Sequence, residues 1–419
     1  MSVELRGWPV LDSAAMHGPL GEWVQAAADH TEADPAAILA TGLVASGVAA
    51  GRSPFMRAGN ARQGASLFTL VVADTPKANR GLSWTIVREL VTAIDPHLGR
   101  ARVLAGLGSG RGVIDALVGP PPRGSERFGQ PPFQGANDRL LVVEPSFVRA
   151  LATAARPSSS LQMVIRNAWG GERLEVAGRG RKAVAEHHHI GVVAHATHDQ
   201  LRGSLSLTDA SASLVNRFLF VLARRQGIVV DEGNVPGELT KSCGRRIAEN
   251  LAKVRSAGQL QRTPEGEVLW REAYAHLAED DPGGLLGIAL ARGSRHAMRL
   301  SLVYALCDGS SVVGANHVKA ALAFWDYCRS SASVILADEQ NDLADDLLGA
   351  LEAAGAAGLT LSEQIDHFAR NVPAGRLEEA RRRLEAAGLA ITTRERRSSM
   401  GRPATITRAT RTQPEPGIG

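Results

Sequence analysis

Four short apolar runs constrain this chain more than any other feature. They are SLFTLVV at 66–72, RLLVV at 139–143, IGVVA at 190–194 and RFLFVL at 217–222. Each has the length of a buried strand, each ends in polar residues, and helical stretches separate them. Strands that alternate with helices predict an α/β layer built on a mainly parallel sheet. Beyond residue 236 the strand signal stops, and 241–258 and 265–340 read as helices. The stretch RHAMRLSLVYALCDG is apolar around much of its circumference and must be well buried. Ahead of the first strand, Asp34-Pro35 reads as an N-cap with proline in the first turn of a buried helix, AAILATGLVASGVAA.

A last unit begins after NDLADD. LLGALEAAG, LTLSEQIDHF and GRLEEARRRLEAAGLA read as three short helices, followed by the alternating segment ITTRERRSSMGRPATITR. Helix–helix–helix–hairpin is the pattern of a winged helix. The expected organisation is a helical N-terminal extension (1–60), an α/β core (61–235), a helical lid (236–340), a winged helix (341–411) and a disordered tail (412–419).

At 419 residues the chain is too long for one compact domain. The formal net charge is only +4, so the position of charge matters more than its sum. From Ala390 to Arg411 there are six arginines (Arg394, Arg396, Arg397, Arg402, Arg408 and Arg411) against one acid, Glu395. A winged helix sets its third helix in the major groove and its wing against phosphate, so Arg394, Arg396, Arg397 and Arg402 are candidate DNA contacts. Protein docking is the alternative use of such a unit. Three distant cysteines give neither a disulfide framework nor a metal motif. No signal peptide and no apolar run of membrane-spanning length is evident, which leads to the expectation of a cytoplasmic protein without membrane contact.

The chemistry suggested by this order is nucleotide binding. A phosphate site on a strand–loop–helix uses backbone N–H groups at a helix N-terminus, a lysine and a hydroxyl for Mg²⁺. The segment Ala73-Asp74-Thr75-Pro76-Lys77-Ala78-Asn79-Arg80-Gly81-Leu82-Ser83 has that architecture without the GxxxxGK[ST] pattern, and an ordinary β–α turn is the alternative reading. Later elements fall in a matching order. Glu144 ends an apolar strand where a water-polarising acid would sit. His195 and Thr197 end another strand at a sensor position. Arg217 opens a further strand like an arginine finger acting on a neighbouring subunit. Arg295 and Arg299 lie on a helix where a nucleotide-sensing arginine of a lid belongs.

Between Trp169 and Ile190, two alternating segments flank Gly-Arg-Gly-Arg-Lys and read as a β-hairpin with a basic tip. Arg179, Arg181 and Lys182 are therefore candidate DNA contacts, with an exposed solvated turn as the plain alternative. His187, His188 and His189 point to alternate faces of an extended segment and cannot converge on one ion.

The segments GPLGEWVQAAADHTEADPAAIL, VVADTPKANRGLSW, DRLLVVEPSF, IRNAWGGERLE, HHIGVVAHATHDQL, NRFLFVLARR, RHAMRLSLVYALCDGS, AALAFWDYCRSSA and GRPATITR together resemble a family of helicase-like P-loop ATPases. This family, formally a domain of unknown function, is found in phages, plasmids and integrated elements, often beside a primase-polymerase domain. The element order is also similar to that of minichromosome-maintenance helicases. The resemblance implies an AAA+/RecA-like core with a helical lid, ATP and Mg²⁺ as cofactors, a homo-oligomer on single-stranded or forked DNA, and a separately supplied primase. It implies nucleotide contacts from Asp74, Thr75, Lys77, Arg80, Gly81, Ser83, Arg295 and Arg299. Ser83 and Glu144 would attend the metal, and Glu144, Arg217, His195 and Thr197 the reaction. The chain departs from the pattern at Ala73 (glycine in the family), Arg80 (lysine), Leu82 (threonine), Ser146 (an acid) and Arg111 (glutamate). Arginine does not replace lysine in a tight phosphate cradle, so slow or absent hydrolysis is expected. The rival expectations are an inactive DNA-binding scaffold and a winged-helix regulator.

Overall fold

A computed structural model describes residues 8–74, 81–118, 138–177, 182–202, 204, 214–230, 233–280, 282, 284–336, 339–368, 372, 374–395 and 404–410. The chain divides into two compact units, Met1–Leu336 and Ala337–Gly419.

The first unit is built on a parallel sheet of five strands: β3 (Phe68–Ala73), β4 (Val103–Ala105), β5 (Arg139–Glu144), β8 (His189–Thr197) and β9 (Leu219–Ala223). Their order across the sheet is β4-β5-β8-β3-β9, and every neighbouring pair is parallel. The expected α/β layer is therefore present. All residues of β3, β8 and β9 are buried, which is why these strands read as continuous apolar runs rather than alternating ones.

Helix α1 (Gly18–Ala28) leads into α2 (Pro35–Ala50). The Asp34 carboxylate accepts the Ala36 N–H at 2.9 Å and caps α2, and its second oxygen accepts the Arg224 N–H at 3.1 Å beyond the end of β9. Every residue of α2 except Pro35 is buried. The face of β8 carrying His189, Gly191, His195 and Thr197 turns toward this helix. A Cβ on Gly191 would lie 2.4 Å from Val48 Cγ2 and 2.8 Å from Val44 Cγ1, so glycine is required for the close approach. The sequence pattern sets residues 1–60 apart as an N-terminal extension; in the structure α2 lies inside the same hydrophobic cluster as the sheet. Helix α3 (Leu82–Ile94) packs beside α2, and α4 (Pro96–Ala101) follows it.

The opposite face of the sheet is covered by α6 (Phe147–Ala154) and α7 (Leu161–Gly170), with α5 (Gly110–Val118) beside α7 and α8 (His198–Arg202) beside α6. Phe147 of α6 meets Phe218 with ring centroids 4.8 Å apart, and Phe218 meets Phe68 at 5.5 Å.

Two antiparallel hairpins join this frame. The pair β1 (Phe55–Ala58) and β2 (Ala61–Gly64) precedes β3 and was not foreseen from the sequence. The second, β6 (Leu174–Val176) with β7 (Ala183–Ala185), pairs Val176 with Ala183. The arginines expected at its tip, Arg179 and Arg181, lie outside the described residues.

The helices after residue 236 are α9 (Gly237–Val254), α10 (Pro264–Glu279), α11 (Gly284–Leu290), α12 (Gly293–Cys307) and α13 (Ala315–Ile335). All of α12 except Ser294 and Arg295 is buried. These helices share the hydrophobic cluster of the sheet. The three cysteines are free and buried.

The second unit runs α14 (Glu339–Ala354), β10 (Leu359–Thr360), α15 (Leu361–His367), α16 (Ala374–Ala386), β11 (Ala390–Glu395) and β12 (Ala404–Ala409). Its antiparallel sheet has the order β10-β12-β11. Leu343, Leu347 and Leu351 of α14 pack with Leu377, Ala380 and Leu384 of α16 in a core of their own. Thr360 caps α15 in a reciprocal box: its hydroxyl accepts the Glu363 N–H at 3.3 Å, and the Glu363 carboxylate accepts the Thr360 N–H at 2.7 Å. No helix among the described residues is long and apolar enough to cross a membrane.

Candidate nucleotide site and basic surfaces

The two edges of the parallel sheet carry different chemistry. At the C-terminal edge, register places Ala73 beside Thr197 and Glu144 beside Ala194. Strands β3 and β8 are neighbours, yet the helices that follow them lie on opposite faces: α3 beside α2, and α8 beside α6. That is a topological switch point, where a crevice opens outside the strand ends of α/β proteins.

Asp74 leaves β3 with its N–H bonded to Ala223 O at 3.1 Å. Its Oδ1 is buried and has no hydrogen-bond partner among the described residues. Gly81 is the N-cap of α3 and provides no side-chain cap. Among the described residues the junction therefore presents an acceptor without a partner and a helix start without a side-chain cap. Thr75, Lys77 and Arg80 belong to that loop and lie outside the described residues.

Glu144 is buried. Its Oε2 accepts the Leu107 N–H at 2.5 Å and its Oε1 accepts the Ser146 N–H at 2.6 Å. Gly106 makes the first bond possible by turning the chain through φ +86°. These backbone partners were missed by sequence reasoning, although the glycine-rich run GLGSG at 106–110 was the available signal. Thr197 ends β8 and accepts the Gln200 N–H at 3.4 Å, opening α8. His195 lies two residues earlier on the same face and is buried.

Ser83 is also buried, with its Oγ 3.4 Å from Thr41 Oγ1 of α2. A hydroxyl turned into a helix–helix contact and a carboxylate held at both oxygens by backbone N–H groups do not form a magnesium cradle. The donor set expected for Mg²⁺ thus does not fit that ion in this arrangement.

Arg299, expected to sense nucleotide from a lid, is a clear correction. Its Nε and Nη2 donate to Gln63 Oε1 at 3.1 and 2.9 Å, its Nη1 to Ser66 O at 2.9 Å, and its Nη2 also to Trp169 O at 2.9 Å. The guanidinium stacks 3.7 Å from the centroid of Trp169. Ser66 precedes β3, so Arg299 lies at the N-terminal edge of the sheet, about 25 Å along the strand from Asp74. Burial, followed by Arg295, Arg292 and Arg217, pushes its pKa down to about 9, which leaves it charged at neutral pH. Arg295, one turn earlier on α12, is exposed.

Arg217 is at the same N-terminal edge, just before β9. It donates to Asn216 Oδ1 at 2.8 Å. Burial first, and then Arg292 and Arg166, push its pKa down to about 10. Three expected residues, Arg217, Arg295 and Arg299, therefore gather at the edge opposite Asp74, Glu144 and Thr197.

Lys182 is spoken for within its own hairpin, pairing with Glu175 across β6 and β7. The three consecutive histidines take separate partners: His187 meets Arg52 Nη1 at 2.9 Å, His188 the Glu172 carbonyl at 2.7 Å and His189 the Gly47 carbonyl at 2.8 Å. In the second unit Arg394 is exposed, whereas Arg408 forms a two-pronged pair with Glu395 at 2.8 and 2.7 Å. Arg396, Arg397 and Arg402 lie outside the described residues.

One cluster of metal-ligand type occurs among the described residues: His17, Asp308 and His317. Asp308 Oδ2 is 2.7 Å from His17 Nε2 and 3.1 Å from His317 Nε2. The Gly314 N–H donates to His317 Nδ1 at 3.0 Å, which leaves the ring's proton on Nε2, facing the carboxylate. A protonated Nε2 donates and does not ligate, so the cluster reads as a hydrogen-bonded clasp between the start of α1 and the α12–α13 junction.

No known family model matches this chain, and no curated protein matches it.

Proposed function

We propose that the chain is a nucleotide-binding protein of AAA+ ancestry that acts on DNA in the replication of a mobile element, with hydrolysis impaired. The observation that carries this reading is the switch point, where Asp74, Glu144 and Thr197 stand at the same edge of the sheet and α3 begins without a side-chain cap from Gly81. A phosphate group there would satisfy the first N–H groups of α3. Arg217 is buried at the far edge and held by Asn216, so service to a neighbouring copy would need it to turn outward, and the homo-oligomer rests on the resemblance alone. The helices and three-stranded sheet of the second unit support the winged-helix reading, with Arg394, Arg396, Arg397 and Arg402 against DNA. A separately supplied primase is the partner this reading expects.

The geometry of Ser83 and Glu144 favours the second reading, a scaffold that binds nucleotide without turning it over, more than it favours a ring helicase. Titration of the full chain with a fluorescent ATP analogue, beside a turnover assay with single-stranded DNA, separates them. Binding without turnover supports the scaffold. Brisk hydrolysis abolished by Arg80→Ala or Glu144→Gln overturns the impaired reading, and no binding at millimolar nucleotide overturns both.

A further inference from the structure

A cleft of about 660 Å³ opens at the N-terminal edge of the sheet, far from the switch-point crevice, and arginines dominate its charge. Arg52 follows the C-terminus of α2, Arg62 lies on β2, Arg139 opens β5 and Arg255 follows α9. Arg57, on β1, is not part of the lining but pairs with Arg62 across the hairpin and is exposed at the rim. Among the described residues, Asp138 is the one acid in the lining. Arg139 is neutralised by Asp95 at 2.7 Å and, with Arg255, serves the carbonyl of Ala49. Arg52, Arg57 and Arg62 have no ion-pair partner among the described residues.

Those three guanidiniums are held in place by neutral groups. Arg62 donates to Arg52 O and to Ser53 O at 2.9 Å, and stacks 3.8 Å from the centroid of Phe55. Arg52 donates to His187 Nδ1 at 2.9 Å. Arg57 reaches Gln259 Oε1 at 3.2 Å and Asn60 O at 3.4 Å. Burial, Arg52 and Arg57 all lower the pKa of Arg62. Three like charges are thus fixed together without an ion-pair partner among the described residues, and such a concave patch attracts an anion.

We infer that this cleft holds the phosphodiester backbone of a single nucleic-acid strand, with Arg52, Arg57 and Arg62 as the phosphate contacts. The cleft lies in the size range of small-molecule pockets, which leaves room for about one or two nucleotides and none for a duplex. Arg52 and Arg62 also line a second recess of about 60 Å³ beside Gly64 and Trp169, where Arg299 is already held by Gln63, Ser66 and Trp169, so the accessible positive charge lies on the side of the larger cleft. A charged groove of that form is how sequence-tolerant strand binding is built. That the anion is a nucleic acid rests on the DNA reading above; that the cleft takes phosphate does not.

The test is fluorescence-anisotropy titration of the full chain with a labelled oligothymidylate at several salt concentrations. The triple change Arg52→Ala, Arg57→Ala, Arg62→Ala should weaken binding at least tenfold at low salt. It should also reduce the slope of log affinity against log salt by about 2, three phosphate contacts at about 0.7 each for a single strand. Arg271→Ala, on exposed α10, should change neither. If the triple variant unfolds, Arg57→Glu decides, because Arg57 is exposed and, among the described residues, holds Gln259, the Asn60 carbonyl and the Phe55 ring at 5.8 Å; a loss of at least threefold is expected. Oligonucleotide binding with an unchanged slope in the folded variant overturns the cleft and leaves the DNA reading standing. Failure of the wild-type chain to bind the oligonucleotide overturns both. Displacement by an equal concentration of pyrophosphate identifies a small-anion site and overturns the nucleic-acid occupant.

Discussion

Arg299 shows how one buried cation can organise the edge of a sheet. Its hydrogen bonds satisfy Gln63, Ser66 and Trp169 at once, so Arg299→Met would strand those acceptors. The expected cost is about 3–5 kcal/mol, measured by denaturant unfolding. Nucleotide affinity should be unchanged in the folded fraction, whereas a sensing role at the switch-point crevice would lower it. Two buried histidines give a pH signature. Burial pushes His189 down to about 4 and His296 down to about 3. Their pKa values are depressed in the folded state, so their contribution is complete above the unfolded value of 6.5. It is lost as pH falls from there through the folded values, because the unfolded chain takes up protons first. Thermal unfolding of His296→Gln should show a shallower decline between pH 6.5 and 4 than the wild type does. The role of Arg299 was illegible in the sequence because an arginine on a helix looks the same whether it faces a nucleotide or a carbonyl. Only the fold brings Ser66 and Trp169 to it.

Among the elements, the clasp of His17, Asp308 and His317 joins α1 to the α12–α13 junction. The hydrogen bond to Asp308 raises the pKa of His17 against the effect of burial. Burial would raise the pKa of Asp308, but bonds from His17 and His317 outweigh it and hold the carboxyl well below 3.8. The His17 contribution is full below pH 6.5 and fades as pH rises through its folded value. The Asp308 contribution is full above 3.8 and fades as pH falls through its folded value. The stability difference between wild type and Asp308→Asn should therefore peak between about pH 4 and 6.5 and shrink toward pH 8. A difference that does not vary with pH would show that the carboxylate acts without charge. Gly191→Ala tests the contact of α2 with β8: a methyl 2.4 Å from Val48 Cγ2 should cost about 1–3 kcal/mol as overpacking. The strands β3, β5, β8 and β9 were legible because burial on both faces makes each a continuous apolar run. The hairpin β1–β2 was not, since FMRA and ARQG carry charge in a half-exposed ribbon and give no apolar run to detect.

At the scale of the whole molecule, each unit closes a core of its own. A chain ending at Leu336 should therefore fold and keep its nucleotide affinity, which titration of the truncated protein checks. The acid-ended strand Glu144 and the strand–loop–helix at Asp74 were readable in the sequence as a string of local signals. That Arg217 and Arg299 sit at the other end of the sheet was not readable, because direction along a strand depends on which helix returns the chain and on which face. Strand β8 joins the two ends, running nine residues from His189 to Thr197 between β5 and β3 with every residue buried. A rod of that kind, paired on both sides, has no loose turn through which solvent deuterium can enter. Its amides should exchange only when the first unit opens as a whole, so β8 would keep time for global unfolding, while the strip of arginines at one end and the crevice at the other exchange on faster clocks.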